Sequence, residues 1–331
     1  MTAGSREVLG VFEGSPVLTV DLGPDADVGT PVPPWLPAVV VGVAGGAPNR
    51  PAPLGVDVAL CRAARHEVAP GWVAVDDPAA ELERLTTRVN SAAQPAVVLV
   101  QLLRLATGRD TDAALVAESL AYSTLQAGPM FAAWLGRRPT AGSGRPELEE
   151  VVGVERRGER LVVTLRRPHV RNALNTAMRD ALVEALTVAA LDLSVGQVEL
   201  RGEGSAFCSG GDLEEFGTAP DPVAAHLART ERSPARMLAA LGSRVTAHLH
   251  GPCVGAGIEL AAFAGTVVAA PGTRCQLPEV ALGLVPGSGG TVSIPRRIGR
   301  HRTAWMGITG SAVDVEVARA WGLVDAVVAE G

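Results

Sequence analysis

Two glutamates in the second half of the chain stand in apolar surroundings. Glu259 lies in HGPCVGAGIELAAFAG (His250–Gly265), and Glu279 lies in CQLPEVALGLVPGSGGTVSIPRRIGR (Cys275–Arg300). A carboxylate among apolar side chains is costly to bury unless it is hydrogen-bonded or takes part in chemistry. Each glutamate also has a structural interpretation, Glu259 as a helix-start carboxylate stabilised by the helix dipole and Glu279 as a surface loop acid. The segments alone leave both interpretations open.

Glycine-rich turns accompany these acids. RGEGSAFCSGGDLEEF (Arg201–Phe216) is predicted to end a strand, form a glycine-rich loop and begin a helix with Asp212 as its N-cap. In the second segment three glycines bracket the predicted start of an apolar helix: Gly251, Gly255 and Gly257. A third group follows Glu279: Gly287, Gly289 and Gly290. Glycine permits close backbone approach with N–H groups aimed outward, although one isolated loop of this kind is more often a tight connection.

The composition is that of an ordinary globular protein. The 331 residues, of which 47% are hydrophobic, suffice for one large or two modest domains. The chain contains no uncharged apolar stretch of about eighteen residues, and its N-terminus lacks the pattern of a signal peptide. We therefore expect neither export nor membrane insertion, and we expect a cytoplasmic location.

Charge and cysteine usage exclude further classes of site. The net charge is −6, without a basic block, and all 29 basic side chains are arginine, so we expect no nucleic-acid surface. The four cysteines form no CxxC pair and no metal-ligand spacing with the six histidines: Cys61, Cys208, Cys253 and Cys275. The sequence therefore predicts neither a metal site nor a disulfide framework.

A stretch dense in Gly, Pro, Ser and Arg, GRRPTAGSGRPELE, divides the chain. It predicts an N-terminal α/β region over residues 1–135, a linker over 136–150 and a second region over 151–331. The apolar runs of the N-terminal region predict three strands: Val17–Gly23, Ala38–Gly46 and Pro95–Arg104. Its other periodic segments predict a helix and a long helix or helix pair: Ala79–Asn90 and Ala113–Leu135.

After the linker, alternating apolar residues around Arg157-Gly158 predict a hairpin. A helix is predicted to begin near Asn172, with Leu174, Met178, Leu182 and Leu186 on one face. Three further strands are predicted: Gln197–Gly202, Arg244–His250 and Thr266–Ala270. Strands that alternate with helices indicate a largely wound α/β core.

The order of elements before the linker parallels the order after it. VLTVDLG corresponds to LVVTLRR, AVVVGVAGG to QVELRGEGS, and QPAVVLVQLLR to SRVTAHLHG. We interpret the N-terminal region as a degenerate half-repeat without the glycine clusters, which would pack or assemble rather than catalyse.

The second region resembles the enoyl-CoA hydratase/isomerase (crotonase) superfamily over about residues 151–328. The resemblance rests on AFCSGGDL, GPCVGAGIEL and LPEVALGLVPGSGGT, in this order and spacing, with RPHVRNALN as an opening segment and GITGSAVDVEVARAWGLVDAVV as a closing one. It implies a crotonase-like α/β fold of repeated ββα units that acts on coenzyme A thioesters.

In such a fold two backbone N–H groups form an oxyanion hole for the thioester carbonyl. By motif match these belong to Cys208 and Ala256, so the cysteine side chain would be filler rather than nucleophile. Two glutamates would face one water at the positions of Glu259 and Glu279, one acting as base and the other, protonated, as acid. Gly287 would place the reacting end of the substrate.

The resemblance assigns four residues to coenzyme A: Arg171, Ala206, Gly210 and Asp212. An arginine suits the coenzyme phosphates, although Arg171 could equally be a solvated helix-start residue. We expect no cofactor beyond the coenzyme A part of the substrate. The resemblance also implies a homo-oligomer, a trimer or hexamer.

The chain departs from the family pattern at its C-terminal end. The helices that usually follow the last segment, trimerise the protein and close the acyl pocket are not found after GLVDAVVAEG, so we expect the N-terminal region to replace them as a lid or assembly element. Hydration of a 2-enoyl-CoA is the favoured reaction because both glutamates are present. Isomerisation, another enolate reaction, and a catalytically weak binding or scaffold subunit are the alternatives.

Overall fold

A parallel four-stranded sheet opens the N-terminal region. The computed structural model describes residues 14–23, 29–64, 68–106, 108–138 and 150–328, so most of the predicted linker lies outside the described residues. The strands are β1 Val17–Asp21, β2 Val39–Ala44, β3 Val58–Arg62 and β4 Val73–Val75, hydrogen-bonded in that order. Valine-rich runs such as VVVGVA fit this sheet because its central strands are buried on both faces.

Four helices follow the sheet: α1 Pro78–Ser91, α2 Ala93–Ala106, α3 Thr111–Gln126 and α4 Pro129–Arg137. Asp77 and Asp110 cap the first and third of these, each accepting a hydrogen bond from a backbone N–H of the first turn. The helix predicted at Ala79–Asn90 and the helix pair predicted at Ala113–Leu135 are confirmed. The last helix extends through Arg137, two residues into the predicted linker.

The strand predicted at Pro95–Arg104 is wrong, because these residues belong to α2. Eight of its fourteen residues are buried, and a helix buried on most sides shows no polar stripe, so its apolar run cannot be told from that of a central strand. The third correspondence of the proposed half-repeat therefore fails. The other two correspondences stay a hypothesis.

The second region is built on a six-stranded sheet with order β13-β10-β8-β7-β6-β5. The hairpin predicted at Arg157-Gly158 is confirmed as β5 Val152–Arg157 and β6 Arg160–Leu165, which pair antiparallel. The remaining neighbours in this sheet pair in parallel: β7 Gln197–Gly202, β8 Val245–Leu249, β10 Thr266–Ala269 and β13 Ala326–Val327. A small sheet joins β9 Pro252–Val254, β11 Arg274–Gln276 and β12 Val313–Asp314.

Seven helices surround these sheets: α5 Thr176–Leu191, α6 Pro222–Glu231, α7 Pro234–Leu241, α8 Ala256–Ala261, α9 Gly290–Ile298, α10 Arg300–Thr309 and α11 Val315–Trp321. The helix predicted near Asn172 begins four residues later, at Thr176, with Asn175 as N-cap. Arg171 and Asn172 both have a φ of 54°, which prevents the helix from starting there. Met178, Leu182 and Leu186 form its buried face as predicted, whereas Leu174 precedes it.

One apolar core joins the two regions. α2 packs against α9 and α10, and Leu99 lies so close to Gly307 that a side chain at Gly307 would collide with it. No single helix in the described ranges has the length and apolar character of a membrane span, and only α1 with α2, bent by 108° to each other, passes that test as a pair.

A buried ion pair ties the same regions together. Arg104 on α2 holds both carboxylate oxygens of Asp57 at 2.8 and 2.5 Å, and Arg300 at the start of α10 lies 3.3 Å from Asp57. Asp57 also accepts a hydrogen bond of 2.8 Å from the N–H of Val40, and it is 1% exposed. The carboxylate therefore fixes strand β2, helix α2 and helix α10 in one arrangement.

Asp57→Asn is expected to lower the free energy of unfolding by about 3–5 kcal/mol, because it leaves two guanidinium groups without their buried counter-charge. Urea denaturation followed by circular dichroism measures the loss. Glu203→Gln, which removes an exposed partner of Arg166, is the control and should cost less than ~1 kcal/mol. Equal losses in the two variants would contradict the role assigned to Asp57.

Candidate active site

Two glycine-rich turns of the second region pack directly against each other. The N–H of Val254 donates to the carbonyl of Cys208 at 3.0 Å, and a side chain at Gly257 would collide with that same carbonyl. A Cβ at Gly210 would lie 3.0 Å from the carbonyl oxygen of Val254. Cys208 therefore lies on one turn and Ala256, the first residue of α8, on the turn beside it.

Glu259 is buried in the short helix α8, where it is 2% exposed. Its Oε2 accepts hydrogen bonds from the N–H groups of Ser288 and Gly290 at 2.7 and 2.9 Å. A Cβ at Gly290 would lie 2.6 Å from the Cγ of Glu259, so glycine is needed for this approach. The carboxylate is thereby fixed to the glycine-rich segment that begins α9.

Glu279 begins a 3-10 turn, Glu279–Leu282, and is 8% exposed. Its Oε2 is buried and has no hydrogen-bond partner among the described residues. A side chain at Gly255 would collide with its Oε1. The carboxyl group therefore reaches the turn in front of α8 while one of its oxygens stays available.

Both glutamates line one cavity of about 500 Å³. Ala256, Gly287 and Asp212 also line it, whereas Arg171, Ala206, Cys208 and Gly210 do not. The structure thus brings together the two acids, one of the two N–H positions and the glycine predicted to place the substrate. The turn that carries Cys208 packs against the turn that carries Ala256.

A third buried carboxylate, which the sequence analysis missed, belongs to Glu118 on α3. It is 2% exposed; its Oε1 accepts from the N–H of Gly289 at 2.6 Å, and its Oε2 accepts from the N–H and hydroxyl of Thr291 at 2.8 and 2.6 Å. Glu118 stands in the apolar run AALVAESLA, so the criterion that singled out Glu259 would have found it. It lies before the linker, outside the five segments that carry the family resemblance.

Burial raises the pKa of all three carboxyl groups. The pKa of Glu279 rises to about 8 and that of Glu118 to about 7, in each case chiefly because burial penalises the charged form. The pKa of Glu259 is raised by burial first and by the nearby charges of Glu279 and Glu118, while its two amide donors oppose the rise. With pKa values of about 7 and about 8, Glu118 and Glu279 are not both fully ionised at neutral pH.

The residues predicted to bind coenzyme A lie where the segment 171–175 meets the segment 206–212. Arg171 is exposed, and its carbonyl accepts the N–H of Ser209 at 2.9 Å. Ala206 is buried, with its carbonyl bonded to the amide of Asn172 at 2.9 Å. The carbonyl of Gly210 accepts the N–H of Leu174 at 2.8 Å.

Asp212 is not the N-cap of a helix, because residues 213–217 form turns. Its Oδ1 accepts the N–H of Glu214 at 3.1 Å, and its Oδ2 pairs with Arg167 at 2.9 Å. Glu215 instead accepts from the N–H of Thr176 at 2.8 Å, at the start of α5. The two carboxylates therefore stabilise local structure, and Asp212 has no oxygen free of a protein partner.

The thiol of Cys208 is buried, which raises its pKa to about 12. A thiol with so high a pKa is not ionised at neutral pH and is a poor nucleophile. Within the described residues, no group of His, Cys, Asp and Glu side chains is arranged to hold a metal ion. The titratable or charged side chains that line the cavity of Glu259 and Glu279 are these two acids, Asp212, Glu215, Tyr122, Arg179 and Arg229.

Residues 156–331 match the family model described as enoyl-CoA hydratase/isomerase, which covers more than half of the chain. The chain belongs to the enoyl-CoA hydratase/isomerase family. A solved putative enoyl-CoA hydratase/isomerase from Mycobacterium abscessus is similar in fold, with a TM-score of 0.51 and 33% identity over 54% of this chain and 71% of that one. The predicted family and the crotonase-like α/β fold are confirmed.

Two curated members of the enoyl-CoA hydratase/isomerase family from Escherichia coli (strain K12) illustrate its range. The 2,3-dehydroadipyl-CoA hydratase is 37% identical over 171 residues, which are 52% of this chain and 66% of that protein. The 1,2-epoxyphenylacetyl-CoA isomerase is 33% identical over 169 residues, 50% of this chain and 64% of that protein. The chain thus spans slightly under two thirds of these relatives, and Glu118 lies outside the segment that matches the family model.

Gly255→Ala is expected to lower the free energy of unfolding by about 1–3 kcal/mol, because the position combines a φ of 48° with a collision against Glu279. Gly272→Ala is the matched control, since its φ of 83° is also positive but open space surrounds it. Urea denaturation compares the two variants. A loss at Gly255 no larger than at Gly272 would contradict the close approach of Glu279.

Proposed function

We propose that the protein is an enoyl-CoA hydratase that adds water to the double bond of a 2-enoyl-CoA. The observation that carries this proposal is the placement of Glu259 and Glu279 on one cavity, beside the N-terminus of α8. Family membership supports the use of a coenzyme A thioester. No cofactor beyond the coenzyme A part of the substrate enters the proposed reaction.

The thioester carbonyl would be bound by the N–H groups of Cys208 and Ala256. Addition of water to the β-carbon places negative charge on that oxygen, and fixed donors stabilise the charge as it develops. The N–H of Val254 donates to the Cys208 carbonyl, and Gly257 lies directly against the same carbonyl. This packing supports the role, because it leaves neither turn free to move away from the other.

Glu259 would act as the base and Glu279 as the acid. The assignment rests on the hydrogen bonds. Two backbone amides donate to Oε2 of Glu259 and oppose the rise of its pKa that burial causes, whereas Oε2 of Glu279 has no donor among the described residues and burial raises its pKa to about 8. Glu259 takes a proton from water as the oxygen bonds to the β-carbon, and Glu279 gives its proton to the α-carbon. One proton has then moved to Glu259 and one has left Glu279, so exchange with solvent restores both groups.

Isomerisation is the second candidate. It is favoured by the hydrogen bonds that Glu259 accepts from two backbone N–H groups, because they give this residue a structural role. A carboxylate that accepts two backbone N–H groups at the start of α9 could serve only as a cap of that helix. Glu279 alone would then move a proton between two carbons of the acyl group. The relative named 1,2-epoxyphenylacetyl-CoA isomerase supports keeping this candidate.

The acyl chain would extend into a second cavity of about 160 Å³. Five residues line both cavities: Leu174, Arg179, Arg229, Gly287 and Ser288. Arg171, which we assign to the coenzyme phosphates, lines neither. On this assignment the second cavity would continue from the reacting centre on the acyl side.

Charged side chains of both signs line this second cavity: Asp112, Glu118, Arg179, Arg229, Arg232 and Arg236. The guanidinium of Arg229 lies 4.6 Å from the centre of the Tyr122 ring and donates to Ser119, Ser123 and Gln126. These bonds use four of its five N–H donors, and among the described residues no carboxylate lies within 4 Å of it. The arginines of this lining outnumber its carboxylates, and both oxygens of Glu118 are held by protein donors. We therefore infer an acyl chain that ends in a carboxylate, and the relative named 2,3-dehydroadipyl-CoA hydratase supports this substrate class.

The assembly and the coenzyme contacts complete the proposal. Arg171 would face the phosphates of coenzyme A, and the backbone at Ala206 and Gly210 would border the coenzyme. Asp212 would act only by holding Arg167. The homotrimer or homohexamer implied by the family resemblance stays a prediction.

Glu259→Gln and Glu279→Gln are each expected to lower kcat for hydration of crotonyl-CoA by about 10²–10⁴-fold, because each removes a proton-transfer group. Loss of the enoyl thioester absorbance measures the rate. In the wild type kcat should fall as the pH rises through about 8, where Glu279 loses its proton. Hydration unaffected by Glu259→Gln would favour isomerisation, and binding of crotonyl-CoA without turnover by the wild type would favour a scaffold.

The wild type is expected to prefer 5-carboxypent-2-enoyl-CoA to hex-2-enoyl-CoA in kcat/KM, since a charged hydrogen bond to Arg229 would hold the distal carboxylate. Arg229→Met should lower the ratio of the two kcat/KM values by about 10- to 100-fold, and any effect of its lost bonds to α3 falls on both substrates and cancels in that ratio. Arg201→Gln, whose side chain lines neither cavity, is the control. Equal kcat/KM for both substrates in the wild type would refute the substrate class but not hydration.

A further inference from the structure

The N-terminal region contributes a wall of the proposed active site. Glu118 and Tyr122 are four residues apart and share one face of α3. The ring of Tyr122 lies against Gly287, where a side chain would collide with it. On α4, Trp134 packs on Phe216 at 5.9 Å, next to the turns that line the larger cavity. Helices outside the family match thus border the groups proposed to react.

Glu118 and Glu259 hold the same peptide segment from two sides. The N–H groups of Ser288 and Gly290 donate to Glu259, whereas those of Gly289 and Thr291 donate to Glu118. Four successive amides therefore alternate between two carboxylates, one from each region of the chain. If Glu118 were lost, the segment could shift and carry with it both donors that orient Glu259.

We propose that Glu118 is a positioning residue for the hydration reaction, which fixes the segment Gly287–Thr291 and through it the orientation of Glu259. This inference rests on the proposed function and extends it to a residue outside the family match. It makes α3 part of the active site rather than a packing element. Glu118 also lines the second cavity, but both of its oxygens are engaged by protein donors, so the role assigned to it is through Glu259.

Glu118 has a second effect, on the pKa of Glu279, and several charged and titratable groups face it. They are Arg229 on α6, Glu259 on α8, Glu279 in the 3-10 turn and Tyr122 on its own helix. His226 on α6 contacts the neighbouring Ser119 at 2.9 Å, and Asp112 lies at the exposed start of α3. The charge of Glu118 is among the causes that raise the pKa of Glu279. Removing this charge therefore lowers that pKa.

Glu118→Gln tests the proposal. A Gln amide cannot accept at both of the former oxygens, so we expect kcat for crotonyl-CoA to fall by about 10- to 100-fold with little change in KM. The alkaline limb of the pH–rate profile should move to lower pH, because Glu279 then loses its proton more easily. Glu118→Asp, which keeps the charge but shortens the side chain, should lower kcat while restoring most of the position of that limb.

Asp57→Asn is the matched control, because Asp57 is also a buried N-terminal carboxylate that accepts a backbone N–H, yet it lines neither cavity. It should lose stability without a shift of the pH–rate profile. Hydrogen–deuterium exchange of the peptide containing Gly287–Thr291 provides a readout independent of turnover. Exchange there should quicken in Glu118→Gln and not in Asp57→Asn, compared at equal folded fraction.

The outcomes separate the two proposals. The positioning role would be overturned, with hydration left intact, if folded Glu118→Gln kept the wild-type kcat, the wild-type alkaline limb and the wild-type exchange of this peptide. A wild type that binds crotonyl-CoA without hydrating it would overturn the proposed reaction. In that case faster exchange in Glu118→Gln would still support the positioning of this segment, and unchanged exchange would refute it.

Discussion

The arrangement of the site depends on four backbone N–H groups at the start of α9 that are shared between two buried carboxylates. Ser288 and Gly290 donate to Glu259, and Gly289 and Thr291 donate to Glu118. A helix N-terminus needs acceptors for its first N–H groups, and anionic acceptors there are favoured by the helix dipole. The same bonds therefore offset part of the cost of burying two carboxylates and fix the orientation of Glu259, so local stability and the geometry of the site have one cause.

Close backbone approach is the second constraint, and it explains why glycine stands at several positions around the two glutamates. Gly257 leaves room for the carbonyl of Cys208, Gly290 for the side chain of Glu259, and Gly255 for the carboxyl group of Glu279. Any side chain at these positions would force the two turns and the two glutamates apart. The motifs of the second region thus describe packing requirements as much as reactive groups.

The sequence predicted the second region well because its signals are local. Hairpin, strands, glycine turns and the two acids each follow from a few neighbouring residues, and five ordered segments identified the family. The N-terminal region was harder because its important contacts are distant in the chain: Glu118 meets Gly289 across 171 positions, and Arg104 meets Asp57 across 47. α2 was mistaken for a strand since burial on most sides removes the polar stripe that reveals a helix. Asp212 was mistaken for a helix cap because an aspartate after glycines also forms a turn.

The wall formed by α3 belongs to a region whose buried charges attach its sheet and helices to the second region. Asp57 connects strand β2 to α2 through Arg104 and to α10 through Arg300. Next to Arg300, His301 contacts the carbonyl of Pro53 at 3.0 Å and Arg302 donates to that of Trp72 at 3.0 Å, so three successive residues of α10 attach the second region to the N-terminal sheet. Because α2 also packs on α3 and on α9, the same core supports both carboxylates that hold the segment 288–291. A sheet without site residues of its own therefore contributes to the stability of the fold that carries the three buried glutamates, and not to the position of any one of them.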